Sequence, residues 1–326
     1  MKTTATTREE AVSQETVAEV KREESRAEAE RRRQHRRRIL VKELKPFLFI
    51  GPHLIFFCVF LIVPFFFGIY ISFTRWDMMG DPEFIWFENY ENIFDFGSLF
   101  NQEFFSGLLH TCLYTVVMVP LLIIVPLVLA VVLNSLAGRR ARSVFQAILY
   151  APSLLSVATV VLIWRWMLDR ELGAINNIFM SDINWAGSQP YAWLSIFMLT
   201  LWSGIGGNMV IFMAGLSNIP QTYYEAAEID GANAWIKFIK ITLPSMRFQL
   251  LYTTVMGTIG GFNVFGQPYM FGGPEESTTV LMMYIQQHAF GSSTPMAGMA
   301  SAMSVLLGLI IAAFSAVQFK MMEAKD

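Results

Sequence analysis

Six stretches of this sequence run for more than about twenty residues almost without charge, the length at which a helix crosses the roughly 30 Å of a bilayer's hydrocarbon. They are residues 47–73, 108–136, 144–168, 191–216, 248–271 and 297–319. Inside lipid every backbone N–H and C=O must find its partner within the protein, and a helix provides that locally. The pattern predicts an all-α, polytopic membrane protein with six transmembrane helices. Composition agrees: 54% of the residues are hydrophobic, against about 45–50% in soluble proteins even when Gly is counted. Pro64, Pro120 and Pro126 fall within the runs, and Pro is commoner in membrane helices than in soluble ones.

Charge sets the orientation. If the N-terminus is cytoplasmic and six spans alternate, only Arg75, Arg165 and Arg170 lie outside, leaving 21 of the 24 Lys and Arg inside. That is a strong positive-inside bias. It places both termini in the cytoplasm and hides behind a formal net charge of only −2. Residues 1–45 are rich in Glu, Arg and Lys with few large apolar side chains, so they read as a disordered or loosely helical cytoplasmic tail. The basic block 31–38 precedes a span, where such blocks orient the chain and touch anionic lipid; a nucleic-acid partner is not expected. The first apolar run is too long for a cleavable leader and reads as an anchor. Cys58 and Cys112 lie at membrane depth in different spans and suggest neither a disulfide nor a metal site.

Several chemistries are missing. There is no Gly-x-x-x-x-Gly-Lys-[Ser/Thr] phosphate cradle, no His-Glu-x-x-His and no Gly-x-Ser-x-Gly. Every Asp and Glu is assigned to the tail, a loop or the C-terminus, and Arg165 is the single charge within an apolar run, close enough to its outer end to reach the interface. Proton- and ion-coupled carriers need ionisable groups at membrane depth. A self-sufficient secondary carrier is therefore disfavoured, although backbone carbonyls of broken helices can hold Na⁺. Energy must come from elsewhere.

The polar segment 217–246 between the fourth and fifth runs is far longer than a turn requires. Ser217 or Asn218 can cap a helix, Pro220 suits its first position, residues 221–230 are good helix formers, and Gly231 ends the helix at little steric cost. Residues 232–243 read as a second short helix with Trp235, Phe238, Ile241 and Thr242 along one face, broken by Pro244. Amphipathic helices that merely lie on lipid favour Lys and Arg on the polar face. Here the first helix carries Glu225, Glu228 and Asp230, which fits a protein partner with basic residues.

The pattern Glu225-Ala226-Ala227, Gly231, Ile241, Leu243 and Pro244 resembles the EAA loop of ABC importer permeases at every defined position. Further segments resemble the carbohydrate-uptake branch of that family, which contains the maltose and glycerol-3-phosphate permeases. They are Ser72-Phe73-Thr74-x-Trp76, Phe87-x-Asn89-Tyr90, Ile163-Trp164-x-Trp166, Ile229-Asp230-Gly231-Ala232 and Ser277-Thr278-Thr279-Val280-Leu281. The resemblance covers about residues 47–320. It implies a type I importer permease fold: a first helix and outer loop at 46–106, a permease domain at 107–320, and a cytoplasmic end at 321–326. It also implies a non-catalytic subunit of a bacterial or archaeal cell membrane with no cofactor of its own, ATP and Mg²⁺ belonging to a cytoplasmic ATPase subunit. Its other partners would be a second, related permease or another copy of this chain, an extracytoplasmic sugar-binding protein, and lipid.

On this resemblance Tyr224, Glu225, Ala226, Ala227, Asp230, Gly231, Ala232, Leu243 and Pro244 couple to the ATPase. Polar side chains within spans face a cavity or another helix, so Asn208, Asn263 and Gln267, with Trp202, Gly204 and Phe262 nearby, are candidates for the substrate path. Interhelical hydrogen bonding and ordinary packing is the competing account of each. The family usually has a longer run before its Gly-Gly-Gly-Pro than this chain has before Gly272-Gly273-Pro274, so the outer end of the fifth span is expected to be kinked or shortened. A sugar is the expected cargo. Glycerol phosphates are the alternative, disfavoured because no span carries a pair of basic residues.

Overall fold

The computed structural model describes residues 50–135, 138–291 and 295–323. The tail 1–45 with its basic block, residues 46–49 and the C-terminal residues 324–326 lie outside them. The chain divides into two compact units, Met1–Phe67 and Gly68–Asp326.

In the first unit, residues 50–67 are helical and belong to α1 (Ile50–Ile71). A π turn occupies Cys58–Ile62, with Val63 N–H bonded to Cys58 C=O. The turn ends two residues before Pro64, whose ring and missing N–H would otherwise disturb the regular ladder.

The second unit opens with a short antiparallel hairpin, β1 (Thr74–Arg75) and β2 (Glu83–Phe84), with Thr74 opposite Phe84. Next come α2 (Glu88–Phe94) and α3 (Leu99–Ser135). Buried Asn89 on α2 donates to the carbonyls of Ser72 and Thr74, each at 2.9 Å, and holds the hairpin. Helix α3 begins nine residues before the apolar run that announces it. At 1.5 Å per residue its 37 residues reach about 55 Å, well beyond the hydrocarbon. The extension carries Glu103, which the sequence reading leaves in a loop; here it is helical and paired with buried His288, Nε2 standing 2.6 Å from Oε2.

The rest of the unit comprises α4 (Arg139–Tyr150), α5 (Val157–Met167), α6 (Ala174–Phe179), α7 (Tyr191–Ser217), α8 (Gln221–Ile229), α9 (Ala234–Lys237), α10 (Leu243–Ser245), α11 (Arg247–Phe262), α12 (Gly266–Phe271), α13 (Leu281–Gln286) and α14 (Ala297–Glu323). Helix α3 is the axis, packing chiefly on α7 and α11. One core cluster joins Leu127 and Leu133 of α3 to Met209, Phe212 and Leu216 of α7 and to Met246. A second surrounds Tyr114, Met118, Trp193, Ile196 and Leu199, and a third gathers Phe104, Phe262, Leu281 and Met303. The segment 277–281 is buckled onto these helices. His110 Nδ1–H donates to Thr279 C=O at 2.8 Å, Leu281 N–H to Thr111 Oγ1 at 3.0 Å, and Trp193 Nε1–H to Ser277 C=O at 3.0 Å.

Of the six expected spans, four are single helices long and apolar enough to cross a membrane among the described residues: Ile50–Ile71, Leu99–Ser135, Tyr191–Ser217 and Ala297–Met321. The run 144–168 is instead a broken pair, Arg140–Leu154 and Val157–Met167, bent by 101°. Pro152 stands before the break and Ser156 caps the new helix, its Oγ accepting from Thr159 N–H at 3.2 Å. The run 248–271 is divided between α11 and α12, as the kink expected near Gly272 suggests. Pro268 supplies the reason: its ring would strike the carbonyl four residues back, at Val264, so the helix stops at Phe262 and restarts at Gly266.

Candidate functional site

The segment 217–246 folds as two arms joined by a tight turn. Pro220 is the N-cap of α8, one residue earlier than its expected place in the first turn. The helix ends in a Schellman motif: Gly231 N–H bonds to Glu228 C=O at 3.0 Å and Ala232 N–H to Ala227 C=O at 2.8 Å. Gly231 adopts φ +77°, the left-handed conformation that the motif requires at this residue. Asn233 then caps the second arm, its Oδ1 accepting from Ile236 N–H at 2.9 Å. This arm runs through α9, a π turn at Phe238–Thr242 and α10. As in α1, the π turn ends two residues before a proline, Pro244, so the helical path continues to Ser245 where the sequence suggests a break at Pro244 itself.

The two arms differ in support. Helix α8 has no buried residue. Glu225, Ala226 and Asp230 are exposed, Ala227 and Ala232 are half-buried, and Ile229 is 88% exposed. Phe238 and Leu243 pack against the core shared by α3 and α7, and Trp235 stacks on Phe238 with ring centroids 5.9 Å apart. Tyr224 Oη and Thr242 Oγ1 share a 2.9 Å hydrogen bond, and Lys237 Nζ donates to Glu228 Oε1 at 2.8 Å. Thr242, Lys237 and Asn233 are functional candidates that the motif does not mark. A hollow of about 340 Å³ lies in the crook of the arms, lined by Ala227, Gly231, Ile236 and Lys240 among others.

The six residues proposed for a substrate path fall into three places. Gly204 and Asn208, one turn apart on α7, both meet Leu122 of α3. A Cβ on Gly204 would stand 2.6 Å from Leu122 Cδ2, and Asn208 Nδ2 donates to Leu122 C=O at 2.7 Å. That carbonyl is the one Pro126, lacking an N–H, cannot bond within α3. Trp202 packs edge-on against Trp164, centroids 6.1 Å apart. Phe262, Asn263 and Gln267 surround the α11–α12 break. Phe262 is buried against Phe314, Asn263 is exposed with Nδ2 donating to Ile259 C=O at 2.7 Å, and Gln267 is half-buried. Arg165 crosses to this region, donating from Nη1 to Met270 C=O at 3.3 Å.

The family described as "Binding-protein-dependent transport system inner membrane component" matches residues 96–323. The chain is 32% identical over 295 residues to the probable ABC transporter permease protein YesP of Bacillus subtilis (strain 168), covering 87% of this chain and 92% of that one. It is 31% identical over 288 residues to the arabinooligosaccharides transport system permease protein AraP of the same organism, covering 86% and 89%. Against the lactose transport system permease protein LacF of Rhizobium radiobacter the identity is 29% over 289 residues, covering 85% and 93%. A crystal structure of a bacterial ABC transporter involved in the import of alginate superposes with a TM-score of 0.75 at 20% identity, covering 87% of this chain and 98% of that one. At that identity the likeness is one of fold.

Proposed function

The chain belongs to the family of binding-protein-dependent transport system inner membrane components, and from that premise we propose that it carries a sugar or oligosaccharide into the cell. As a member it is a multi-pass membrane permease subunit of a binding-protein-dependent importer. The cargo follows from its relatives, among them permeases named for arabinooligosaccharides and lactose, and from spans that lack paired cations for a phosphate. In this reading ATP is hydrolysed by a separate cytoplasmic subunit, a second permease completes the pore, and a binding protein delivers the sugar outside. Six spans leave both termini in the cytoplasm, α5 and α12 being the outer halves of bent crossings.

The exposed, capped helix α8 carries this reading most directly. A helix with no buried residue gains nothing from its own core, so its Schellman turn and two side-chain links are justified by something it meets. An ATPase subunit gripping Glu225, Ala226 and Ala227 would move α8, and through the second arm α11, between two rigid-body arrangements. Sugar contacts are assigned to Asn263 and Gln267 at the α11–α12 break, where an interrupted helix leaves backbone polar groups to be met by other partners, and to Trp202 on α7.

Uptake in proteoliposomes containing the whole importer tests the proposal. ATP-dependent accumulation is expected for radiolabelled arabinotriose, lactose or maltotriose and not for glycerol 3-phosphate. Accumulation of glycerol 3-phosphate alone would overturn the sugar assignment. Uptake by this chain without an ATPase subunit would overturn the coupling.

A further inference from the structure

Tyr224 belongs to the EAA segment by position, and its hydroxyl is hydrogen-bonded to Thr242 within the segment itself. Thr242 is only 5% exposed and its Oγ1 also lies 3.5 Å from Lys237 C=O. One turn along α8, Glu228 takes the ammonium of Lys237. Residues 224 and 228 share a helix face, as i and i+4 positions do. In a regular α-helix residues 237 and 242 would point about 140° apart. The π turn at Phe238–Thr242, with its i→i+5 step, swings them back toward one side. The two pairs therefore match across the crook.

We infer that the Tyr224–Thr242 hydrogen bond and the Glu228–Lys237 ion pair are positioning struts that make α8 and the second arm one lever. This rests on the reading of α8 as the ATPase-coupling helix. Without the struts, α8 passes a push to the second arm only along the backbone turn at Gly231, where it would be absorbed. With them it reaches Thr242, whose neighbours Phe238, Leu243 and Met246 enter the core of α3 and α7. Lys237 is thereby engaged within the segment and Glu225 is left for the partner, since it makes no ion pair among the described residues.

The test uses the complete importer in nanodiscs with Mg-ATP, reading retention of the ATPase subunit and the stimulation of hydrolysis by the binding protein. Tyr224→Phe and Thr242→Val should retain the ATPase subunit and lower stimulation about fivefold, the equivalent of one net hydrogen bond of about 1 kcal/mol. Thr242→Ser should restore it. Glu228→Lys should lower it, and adding Lys237→Glu should recover it. A nitroxide at Ile229 should gain mobility in Tyr224→Phe and Thr242→Val, not in Thr242→Ser. Wild-type stimulation and mobility in Thr242→Val would overturn the inference, as would loss of the ATPase subunit on Tyr224→Phe, which would make that hydroxyl a partner contact. Glu225→Arg separates the two levels: if it keeps both the ATPase subunit and full stimulation, the coupling reading itself fails. If it loses them while the strut variants behave as wild type, only the struts fail.

Discussion

Asn208 shows how one side chain can answer for a defect elsewhere. Pro126 deprives Leu122 of its helical partner, and Asn208, on another helix, replaces it. Asn208→Leu should leave that carbonyl bare and cost about 0.6–1.7 kcal/mol, as interhelical hydrogen bonds in membranes do, read as a lower unfolding midpoint in detergent. Pro126→Ala in the same background should recover part of the loss, because the substituted residue regains an N–H that can bond to Leu122 C=O; no recovery would mean that Asn208 acts otherwise. Gly231 is a second single-residue case. A Cβ there meets nothing within 4 Å, so substitution is opposed only by its φ of +77°, about 1–2 kcal/mol for an ordinary L-residue. Uptake should fall in the order Gly, Asn, Ala, since Asn tolerates this conformation. Gly231→Asp should be inactive, its carboxylate crowding Asp230, while membrane levels of all variants stay equal. Normal uptake by Gly231→Asp would remove the segment from coupling. Both effects are decided by backbone chemistry, but only Gly231 is legible from sequence, because its turn is local. The Asn208 contact spans 86 residues and no local pattern announces it; the same holds for His288 and Glu103.

Elements were legible where the signal repeats along the chain and obscure where a proline or a polar turn interrupts it. The four uninterrupted spans follow from apolar length alone. The start of α3 does not, because Asn101, Gln102 and Glu103 look like loop residues until the contact with His288 pairs the carboxylate. Prolines were readable as interruptions but not in kind. Pro64 and Pro244 each follow a π turn that keeps the helix going, whereas Pro268 ends α11 and lets α12 begin. The difference lies in what surrounds them: Gly260, Gly261 and Gly266 lower helix propensity around the break by about 1 kcal/mol each relative to Ala. At this break Asn263 is exposed and, among the described residues, its side chain bonds to Ile259 C=O of the helix it ends, so Asn263→Ala should leave folding nearly unchanged. If the break lines the sugar path, that variant should reduce uptake at saturating sugar and binding-protein-stimulated ATPase together. Uptake and ATPase both equal to wild type would make Asn263 a helix-end residue and no more.

For the whole molecule, the path of the chain turns on the pair bent by 101°, which either crosses the membrane or turns back. The distribution of charge argues for crossing. Arg139, Arg140 and Arg142 precede the bend, while Arg165 and Arg170 follow it; Arg170 is bonded to Asp182, whose carboxyl is held below the usual range by that guanidinium at 2.7 Å. The tight cluster of three before the bend and the two separated cations after it match the inner and outer sides of a membrane under the positive-inside rule, which counts Lys and Arg and gives carboxylates little weight. The halves hold 15 residues in Arg140–Leu154 and 11 in Val157–Met167, about 22 and 16 Å at 1.5 Å per residue, so neither covers about 30 Å of hydrocarbon alone and a crossing needs both. Single cysteines decide it, with Cys58 and Cys112 replaced by Ala. On intact cells a membrane-impermeant maleimide should label Asp182→Cys and spare Gly138→Cys and Glu225→Cys, which should react only after permeabilisation. Labelling of residues 138 and 182 from the same side would make the bent pair re-entrant. The six-span topology would then fail, and one end of the chain would have to change sides.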